Sequence, residues 1–182
     1  MNSAMYYISI VAPEAINEQV AQWKNFMRDR FGCIVALKSP AHITLASPFW
    51  MNASLQGLLE DTIKEFSNNQ KNFLIELKDF GSFKPRVIFV RVTESVDSTH
   101  LRDSLEEHLL TNPLFPIKKT ARPFHPHITV ANRDLHKTDF YTAWEYFKNK
   151  KYEASFMANG ITLMKHNGIL WEAVYKASFP VM

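Results

Sequence analysis

Hydrophobic residues in this chain follow two spacings, which predict a mixture of strands and helices. Continuous or alternating apolar runs predict strands at 5–11, 34–37, 73–83, 86–92, 158–165 and 169–179. Apolar residues that recur at three- and four-residue steps predict amphipathic helices after Pro13 and at 55–66, 101–109 and 138–149. Strands and helices therefore alternate along the chain, which favours an α+β fold.

Two further predicted strands carry the same polar pattern. The run AHITLASPF contains His42 and Thr44, and the run FHPHITVANR contains His127 and Thr129. Because successive side chains of a strand point to opposite faces, the histidine and the threonine of each run share one face. Each strand therefore has an apolar side and a polar side, and we expect Pro48 to end the first of them.

The order strand, helix, His-x-Thr strand, helix and strand occurs twice along the chain. From Ile8 to His42 is 34 residues, and from Phe89 to His127 is 38 residues. Such similar spacing predicts a duplicated β-α-β unit with pseudo-two-fold symmetry. We expect one bilobal domain over residues 1–182, with approximate repeat halves 1–84 and 85–182.

Composition indicates a globular domain. Its 182 residues suffice to bury roughly 70% of the unfolded surface. Cys33 is the only cysteine, which excludes an intrachain disulfide and a Cys-rich zinc site. The apolar N-terminal run is too short to span a bilayer and lacks a basic leading segment, so we interpret it as a first strand. We expect a cytoplasmic monomer with no membrane partner.

The distribution of acidic residues says more than the formal net charge of +3. No Asp or Glu occurs in 30–59 or in 108–133, and these two acid-free windows contain the two His-x-Thr runs. At about one acid per ten residues, roughly three would be expected in each window. The windows therefore favour an anionic ligand, although a solvated basic loop explains the lysines and arginines near the second motif equally well.

The paired motifs supply the groups that phosphodiester cleavage requires. Two imidazoles can remove and donate protons near neutral pH, and two hydroxyls can donate hydrogen bonds to phosphate oxygens. The structural alternative is hydrogen-bonded strand histidines beside ordinary strand threonines. His125 could join His42 and His127 in a three-histidine zinc site, but no carboxylate or cysteine accompanies them in sequence. We therefore expect neither a metal nor another cofactor.

Other residues near the motifs are weaker candidates for substrate contacts. Arginine side chains could bind phosphate, and aromatic rings could stack on a base, although core packing is favoured for each ring. The candidate substrate contacts are Arg86, Arg122, Arg133, Phe49 and His125. The same two interpretations, base stacking and core packing, apply to Trp50, Phe124 and Trp171.

The chain resembles the two-histidine (2H) phosphoesterase superfamily, in its branch of 2'-5' RNA ligase-like proteins and RNA 2',3'-cyclic phosphodiesterases. The matching features are HITL at His42, HITV at His127, the proline directly before His127 and the PRVIFVRV strand. The resemblance implies two antiparallel sheets flanking a central cleft, with helices outside. It also implies that His42 and His127 are catalytic and that Thr44 and Thr129 bind phosphate. One departure from the family pattern concerns the basic residue that often follows the second motif closely: here Arg133 comes four residues after Thr129.

The function implied is a metal-independent phosphodiesterase that opens 2',3'-cyclic phosphates at RNA ends or in nucleotides. By microscopic reversibility the same pair of histidines can join 2'-5' linkages. Two alternatives remain open at this point. One is a non-catalytic RNA- or nucleotide-binding module, and the other is a phosphodiesterase for a small metabolite such as a cyclic phosphate of ADP-ribose. The sequence does not assign the acid and the base.

Overall fold

The computed structural model describes residues 2–181, whose strands form one curled antiparallel sheet in the order β6-β3-β4-β5-β2-β1-β7-β8. In chain order the elements are β1 (Ser3–Val11), α1 (Glu14–Phe31), a 3-10 helix (Val35–Lys38), β2 (His42–Asn52), a second 3-10 helix (Ala53–Leu55), α2 (Gln56–Ser67), β3 (Phe73–Phe83), β4 (Val87–Val92), α3 (Val96–Leu110), β5 (His127–Ala131), α4 (Lys137–Phe147), β6 (Glu153–Ala158), β7 (Gly160–His166) and β8 (Trp171–Ser178).

The sheet consists of two four-stranded halves that meet between β2 and β5. One half contains β2, β1, β7 and β8, and the other contains β5, β4, β3 and β6. At the junction, the recorded backbone pairing joins Ile43 to Ile128, and both side chains are almost fully buried. The predicted α+β class with two antiparallel sheets is confirmed, and this pairing joins the two sheets into one.

The helices cover the apolar face of the sheet and contact strands of both halves. Helix α1 packs against β5 in the opposite half, α2 against β7 and β8, and α3 against β2. At the end of α1, Gly32 adopts a left-handed conformation with φ of 70°, and its N–H donates to Arg28. A glycine adopts this conformation without the steric cost of a side chain, so the helix stops there. None of the helices in residues 2–181 is both long and apolar enough to cross a bilayer.

The predicted strand at 34–37 is wrong, because Val35–Lys38 forms a 3-10 helix. The Asp134 carboxylate accepts hydrogen bonds from the backbone N–H groups of Ile34 and Val35, at 2.6 and 2.8 Å. A carboxylate that caps the first N–H groups favours a helical turn over a strand. Since Asp134 is distant in sequence, local hydrophobicity could not reveal this contact.

Three strands also differ from the sequence prediction. Strand β2 does not end at Pro48 but continues to Asn52. Pro48 lies at an irregularity in the pairing with β1, and proline is tolerated where a ladder hydrogen bond is already missing. Strand β6 was not predicted, and β7 begins only at Gly160. Because β6 is an edge strand with several exposed positions, its apolar signal is weak.

Truncating Ile128 tests the importance of the junction. Ile128→Ala should lower the free energy of unfolding by about 3 kcal/mol, because it leaves a cavity where the two halves meet. The matched control is Ile169→Ala in the exposed turn before β8, which should change stability by less than about 0.5 kcal/mol. Urea unfolding followed by tryptophan fluorescence measures both. Equal effects of the two substitutions would contradict a packed junction.

Candidate active site

The two His-x-Thr motifs meet at the junction of the sheet halves. Ile43 lies opposite Ile128 in antiparallel strands. Continuing this register by one residue sets His42 opposite Thr129, and Thr44 opposite His127. Since these four side chains alternate with the buried isoleucines, they share the other face of the sheet, which we call the cleft face. Each imidazole is therefore opposite the threonine of the other motif.

A cleft of about 350 Å³ opens on this face. It is lined by His42, Thr44 and Thr129 together with polar side chains from the end of the first 3-10 helix, the loop after β5 and strand β7. These additional polar residues are Lys38, Ser39, Asn132, Arg133 and His166. In the part of the chain that the structure describes, the lining of this cleft contains neutral and basic side chains and no carboxylate, so its charge favours an anionic ligand such as a phosphate group.

Both imidazoles are anchored in the same way. Nδ1 of His42 lies 2.8 Å from the Pro40 carbonyl oxygen, and Nδ1 of His127 lies 2.7 Å from the His125 carbonyl oxygen. A carbonyl oxygen can only accept a hydrogen bond, so each Nδ1 carries the proton. Nε2 of each neutral ring is then unprotonated, and within residues 2–181 neither Nε2 has a hydrogen-bond partner. Each ring can therefore accept a proton at Nε2, or donate one there once it is protonated.

The surroundings of the two imidazoles favour their neutral forms to different degrees. Burial lowers the pKa of His42 to about 4, and the positive charge of Lys24 acts in the same direction, as does that of His127 when its ring is protonated. The hydrogen bond to Pro40 opposes this shift. Burial also lowers the pKa of His127, again opposed by its backbone hydrogen bond. At neutral pH both rings can accept a proton, and His42 has the stronger bias towards the neutral form.

Aromatic rings support each histidine from the neighbouring strand. The ring of Tyr7 in β1 lies 4.9 Å from the His42 ring and 4.5 Å from Trp171. The ring of Phe89 in β4 lies 5.0 Å from the His127 ring, which also contacts Phe83 at 5.2 Å. The Tyr7 hydroxyl is buried near Ser39 without a well-formed hydrogen bond inside the described part of the chain. Burial raises the pKa of Tyr7, so this hydroxyl remains a donor.

Helix α1 holds the segment that leads into His42. The Lys24 ammonium donates a hydrogen bond of 2.9 Å to the Ser39 carbonyl oxygen, and Asn17 Oδ1 accepts one of 2.7 Å from the Ala41 N–H. Lys24 is only 4% exposed, and burial lowers its pKa to about 8. Its side chain is therefore still mostly charged at neutral pH, which explains its effect on His42.

Comparisons with known proteins identify the family of this chain. The model of the 2'-5' RNA ligase superfamily matches residues 12–169, which is most of the chain. The chain belongs to this superfamily. It is 29% identical over 131 residues to a Bacillus pumilus (strain SAFR-032) protein named "Putative phosphoesterase", covering 71% of each sequence. The resemblance drawn from the two motifs is confirmed, and it supports a phosphoesterase-type function.

Solved structures share the fold of this superfamily member. E. coli LigT in complex with 3'-AMP is 20% identical, with a TM-score of 0.72 over 98% of this chain and 99% of that one. The protein TT0787 of Thermus thermophilus is 18% identical, with a TM-score of 0.67 over 96% and 97%. These likenesses show that one fold is common to all three chains.

The weaker candidate contacts are distributed over several places. Arg133 lines the cleft, whereas Arg86 lies exposed in the turn between β3 and β4 and Arg122 in the loop before β5. Phe49 is buried on the apolar face, where its ring stacks on Tyr6.

The ring of His125 contacts a carboxylate, whereas the rings of His42 and His127 contact backbone carbonyls. Its Nδ1 lies 3.0 Å from a carboxylate oxygen of the exposed Glu94. No group of three or more His, Cys, Asp or Glu side chains within residues 2–181 is arranged to hold a metal ion. The His125 backbone carbonyl contributes to the site instead, because it orients His127.

Several residues that organise the site carry little local signal in the sequence. Besides Lys24 and Asp134, they include Arg102 and Glu106 in α3. The Glu106 carboxylate accepts hydrogen bonds from the Thr120 N–H at 3.1 and 3.0 Å, and Arg102 donates to the Arg122 carbonyl at 3.3 Å. These bonds fix the proline-rich loop that precedes His127. A charged residue within the apolar stripe of a helix, as Lys24 is in α1, is the one available sequence signal.

The lowered pKa of His42 predicts acid sensitivity of the fold. Below about pH 6.5 the unfolded chain binds a proton at this residue, while the folded chain resists protonation until about pH 4. Stability should therefore fall as pH decreases through this interval, by roughly 1–2 kcal/mol at pH 5 from His42 alone.

Urea unfolding at pH 7.5 and pH 5 measures this loss. In His42→Asn the difference between the two pH values should shrink, whereas His136→Asn at the exposed start of α4 should leave it unchanged. An undiminished difference in His42→Asn would show that His42 is not the group responsible.

Replacing Lys24 should change the titration of His42. Lys24→Met keeps most of the buried volume but removes the ammonium, so the pKa of His42 should rise. Proton NMR titration of the imidazole measures this pKa directly. Arg28→Met removes an exposed positive charge from the same helix and serves as the matched control, with no change expected. An unchanged or lower His42 pKa in Lys24→Met would contradict the electrostatic role of Lys24.

Proposed function

We propose that this protein is a phosphodiesterase that opens 2',3'-cyclic phosphates at RNA ends or in nucleotides, using its own side chains as acid and base. The observation that carries the proposal is the matched anchoring of His42 and His127, each opposite a threonine of the other motif. The two imidazoles have the same tautomer, and their Nε2 atoms have no hydrogen-bond partner within residues 2–181, so they are suited to act on opposite sides of one phosphorus atom.

The differing environments support distinct roles for the two histidines. The neutral His42 ring is the general base, which removes a proton from the attacking water through Nε2. His127 is the general acid, which protonates the ribose oxygen as its bond to phosphorus breaks. An anionic phosphate bound beside His127 favours the imidazolium form, so substrate binding itself provides the charged acid. The product is a phosphomonoester with the other ribose hydroxyl free.

Thr44 and Thr129 bind the non-bridging phosphate oxygens. Both hydroxyls belong to the cleft lining, and each threonine lies opposite the histidine of the other motif on the paired strands β2 and β5. Donors held on paired strands need little rearrangement when charge develops on these oxygens, which is the usual source of transition-state stabilisation. Arg133 adds a positive charge at the rim of the cleft.

The chemistry of the ligands seen in relatives agrees with this assignment. E. coli LigT has been solved with 3'-AMP, with NADP+ and with ATP. A 3'-phosphate is one of the two phosphomonoesters that opening a 2',3'-cyclic phosphate can give. When a ribose 5'-hydroxyl takes the place of water, the same two histidines can form a 2'-5' linkage: one removes the hydroxyl proton as the new P–O bond forms, and the other protonates the 3' oxygen as its bond to phosphorus breaks.

Single substitutions test the assignment on adenosine 2',3'-cyclic phosphate. His42→Asn and His127→Asn should each reduce kcat by about 10²–10⁴-fold, because each removes a proton-transfer group. Thr44→Val and Thr129→Val keep the strand shape but remove a donor, and each should reduce kcat by about 10²-fold. Phosphorus NMR follows the substrate and identifies the phosphomonoester formed.

The controls for this assay are His136→Asn and treatment with EDTA, and neither should change kcat. Wild-type turnover in either His42→Asn or His127→Asn would contradict the two-histidine mechanism. Activity that EDTA abolishes and added zinc restores would contradict cleavage by side chains alone.

A further inference from the structure

A groove of about 330 Å³ runs beside the cleft and belongs to no part of the mechanism above. One wall is the edge of β2 from Ala46 to Trp50, which faces away from β1. Within residues 2–181, β5 pairs with β2 only at Ile43, so this edge of β2 is open. The other wall is the loop segment 116–120. Pro48 lines both the groove and the cleft, so the two cavities adjoin.

Trp50 is the prominent feature of this groove, with 64% of its surface exposed. Its cross-strand partner in β1 is Met5, which itself lines the cleft. Directly opposed residues of antiparallel strands share a face, so the Trp50 side chain is on the cleft face. The exposed indole offers a flat aromatic face on which an unpaired base can stack.

The distance from Trp50 to the phosphate site follows from the strand register. Trp50 pairs with Met5, and Thr44 pairs with Ser9, four residues further along β1. At about 3.3 Å per residue, Trp50 lies roughly 13 Å from Thr44 along the sheet. Stacked nucleotides of one strand advance about 3.4 Å each, so this distance corresponds to several nucleotides. We therefore expect the base at Trp50 to belong to a nucleotide beyond the terminal one.

The charge of the groove is suited to a polyanion. Its strand wall belongs to the acid-free window 30–59 and its loop wall to the acid-free window 108–133. Lys118 lines the groove, and the exposed Lys119 and Arg122 follow in the same loop. Glu106 is the acid in the lining, but it is 8% exposed and occupied by the Thr120 N–H and by Arg102 at 3.8 Å.

We propose that this groove binds single-stranded RNA that continues in the 5' direction from the terminal cyclic phosphate, with a base stacked on Trp50 and a backbone phosphate near Lys118. The proposal rests on the proposed function and names its substrate class: RNA ends several nucleotides long, in preference to mononucleotides. An aromatic ring beside a basic side chain is the usual means of binding unpaired nucleotides without regard to sequence.

The experiment uses a series of oligoribonucleotides of one to six residues, each ending in a 2',3'-cyclic phosphate. We expect kcat/KM to rise at least tenfold between the mononucleotide and the hexamer. Trp50→Ala should reduce kcat/KM for the hexamer about tenfold and leave the mononucleotide unchanged, because it removes one base-stacking contact. Lys118→Ala should also act only on the longer substrates and reduce the salt dependence of KM.

Matched controls come from other surfaces of the chain. Tyr141→Ala removes a similarly exposed ring from α4, and Lys64→Ala removes an exposed lysine from α2. Both variants should keep the dependence on chain length. The proposal would be overturned if kcat/KM did not vary with the length of the oligonucleotide. It would also be overturned if Trp50→Ala and Tyr141→Ala had the same kcat/KM for the hexamer. Neither result would affect the phosphodiesterase function.

Binding measured without turnover separates the two proposals. Fluorescence anisotropy of a labelled hexamer ending in a 3'-phosphate should show at least tenfold weaker binding to Trp50→Ala than to the wild type. A blunt RNA duplex of equal length should bind less tightly than the single strand, because its bases are not free to stack. Equal affinity for duplex and single strand would overturn the stacking role of Trp50. Length-dependent binding without any turnover would instead contradict the proposed function.

Discussion

The pairing of Ile43 with Ile128 is the constraint on which the rest of the site depends. It joins two four-stranded halves at a buried, apolar contact, and it fixes the register of the two motif strands. Because side chains alternate along a strand, burying these two isoleucines turns both histidines and both threonines to the other face. A shift of one residue in either strand would bury an imidazole and expose an isoleucine. Packing of the core thus determines which face of the sheet carries the two imidazoles and the two hydroxyls.

Hydrogen bonds and burial then determine the state of each imidazole. The two backbone carbonyls select the tautomer, and the low polarity around His42, together with the Lys24 ammonium, lowers its affinity for a proton. The buried lysine costs free energy, which the bond to the Ser39 carbonyl offsets only in part. Ser39 comes one residue before Pro40, whose carbonyl oxygen accepts the hydrogen bond from His42. The bond from the Lys24 ammonium to Ser39 therefore holds the segment that orients His42.

Much of the fold could be predicted because the apolar pattern is strong where burial is complete. The first helix, strand β3 and the motif strands follow directly from the spacing of their apolar residues, and the duplicated His-x-Thr favours neighbouring positions for the two motif strands, as their pairing at Ile43 and Ile128 confirms. Prediction was poorer where a distant residue decides the local structure. Asp134 makes a 3-10 helix of a segment that resembles a strand, and the irregular pairing near Pro48 allows β2 to continue to Asn52. For the same reason, the contacts of Lys24 and Glu106 become evident only in three dimensions, whereas the motif histidines could be selected from the sequence.

The most direct test of the central claim, that His42 and His127 act as one acid–base pair, is a double-mutant cycle. Turnover of adenosine 2',3'-cyclic phosphate is measured for the wild type, His42→Asn, His127→Asn and the double variant. Residues that act as a unit are strongly non-additive, so the double variant should lose about as much kcat as the more damaged single variant. A double variant whose loss equals the product of the two single losses would show that the histidines act independently, and would contradict the account.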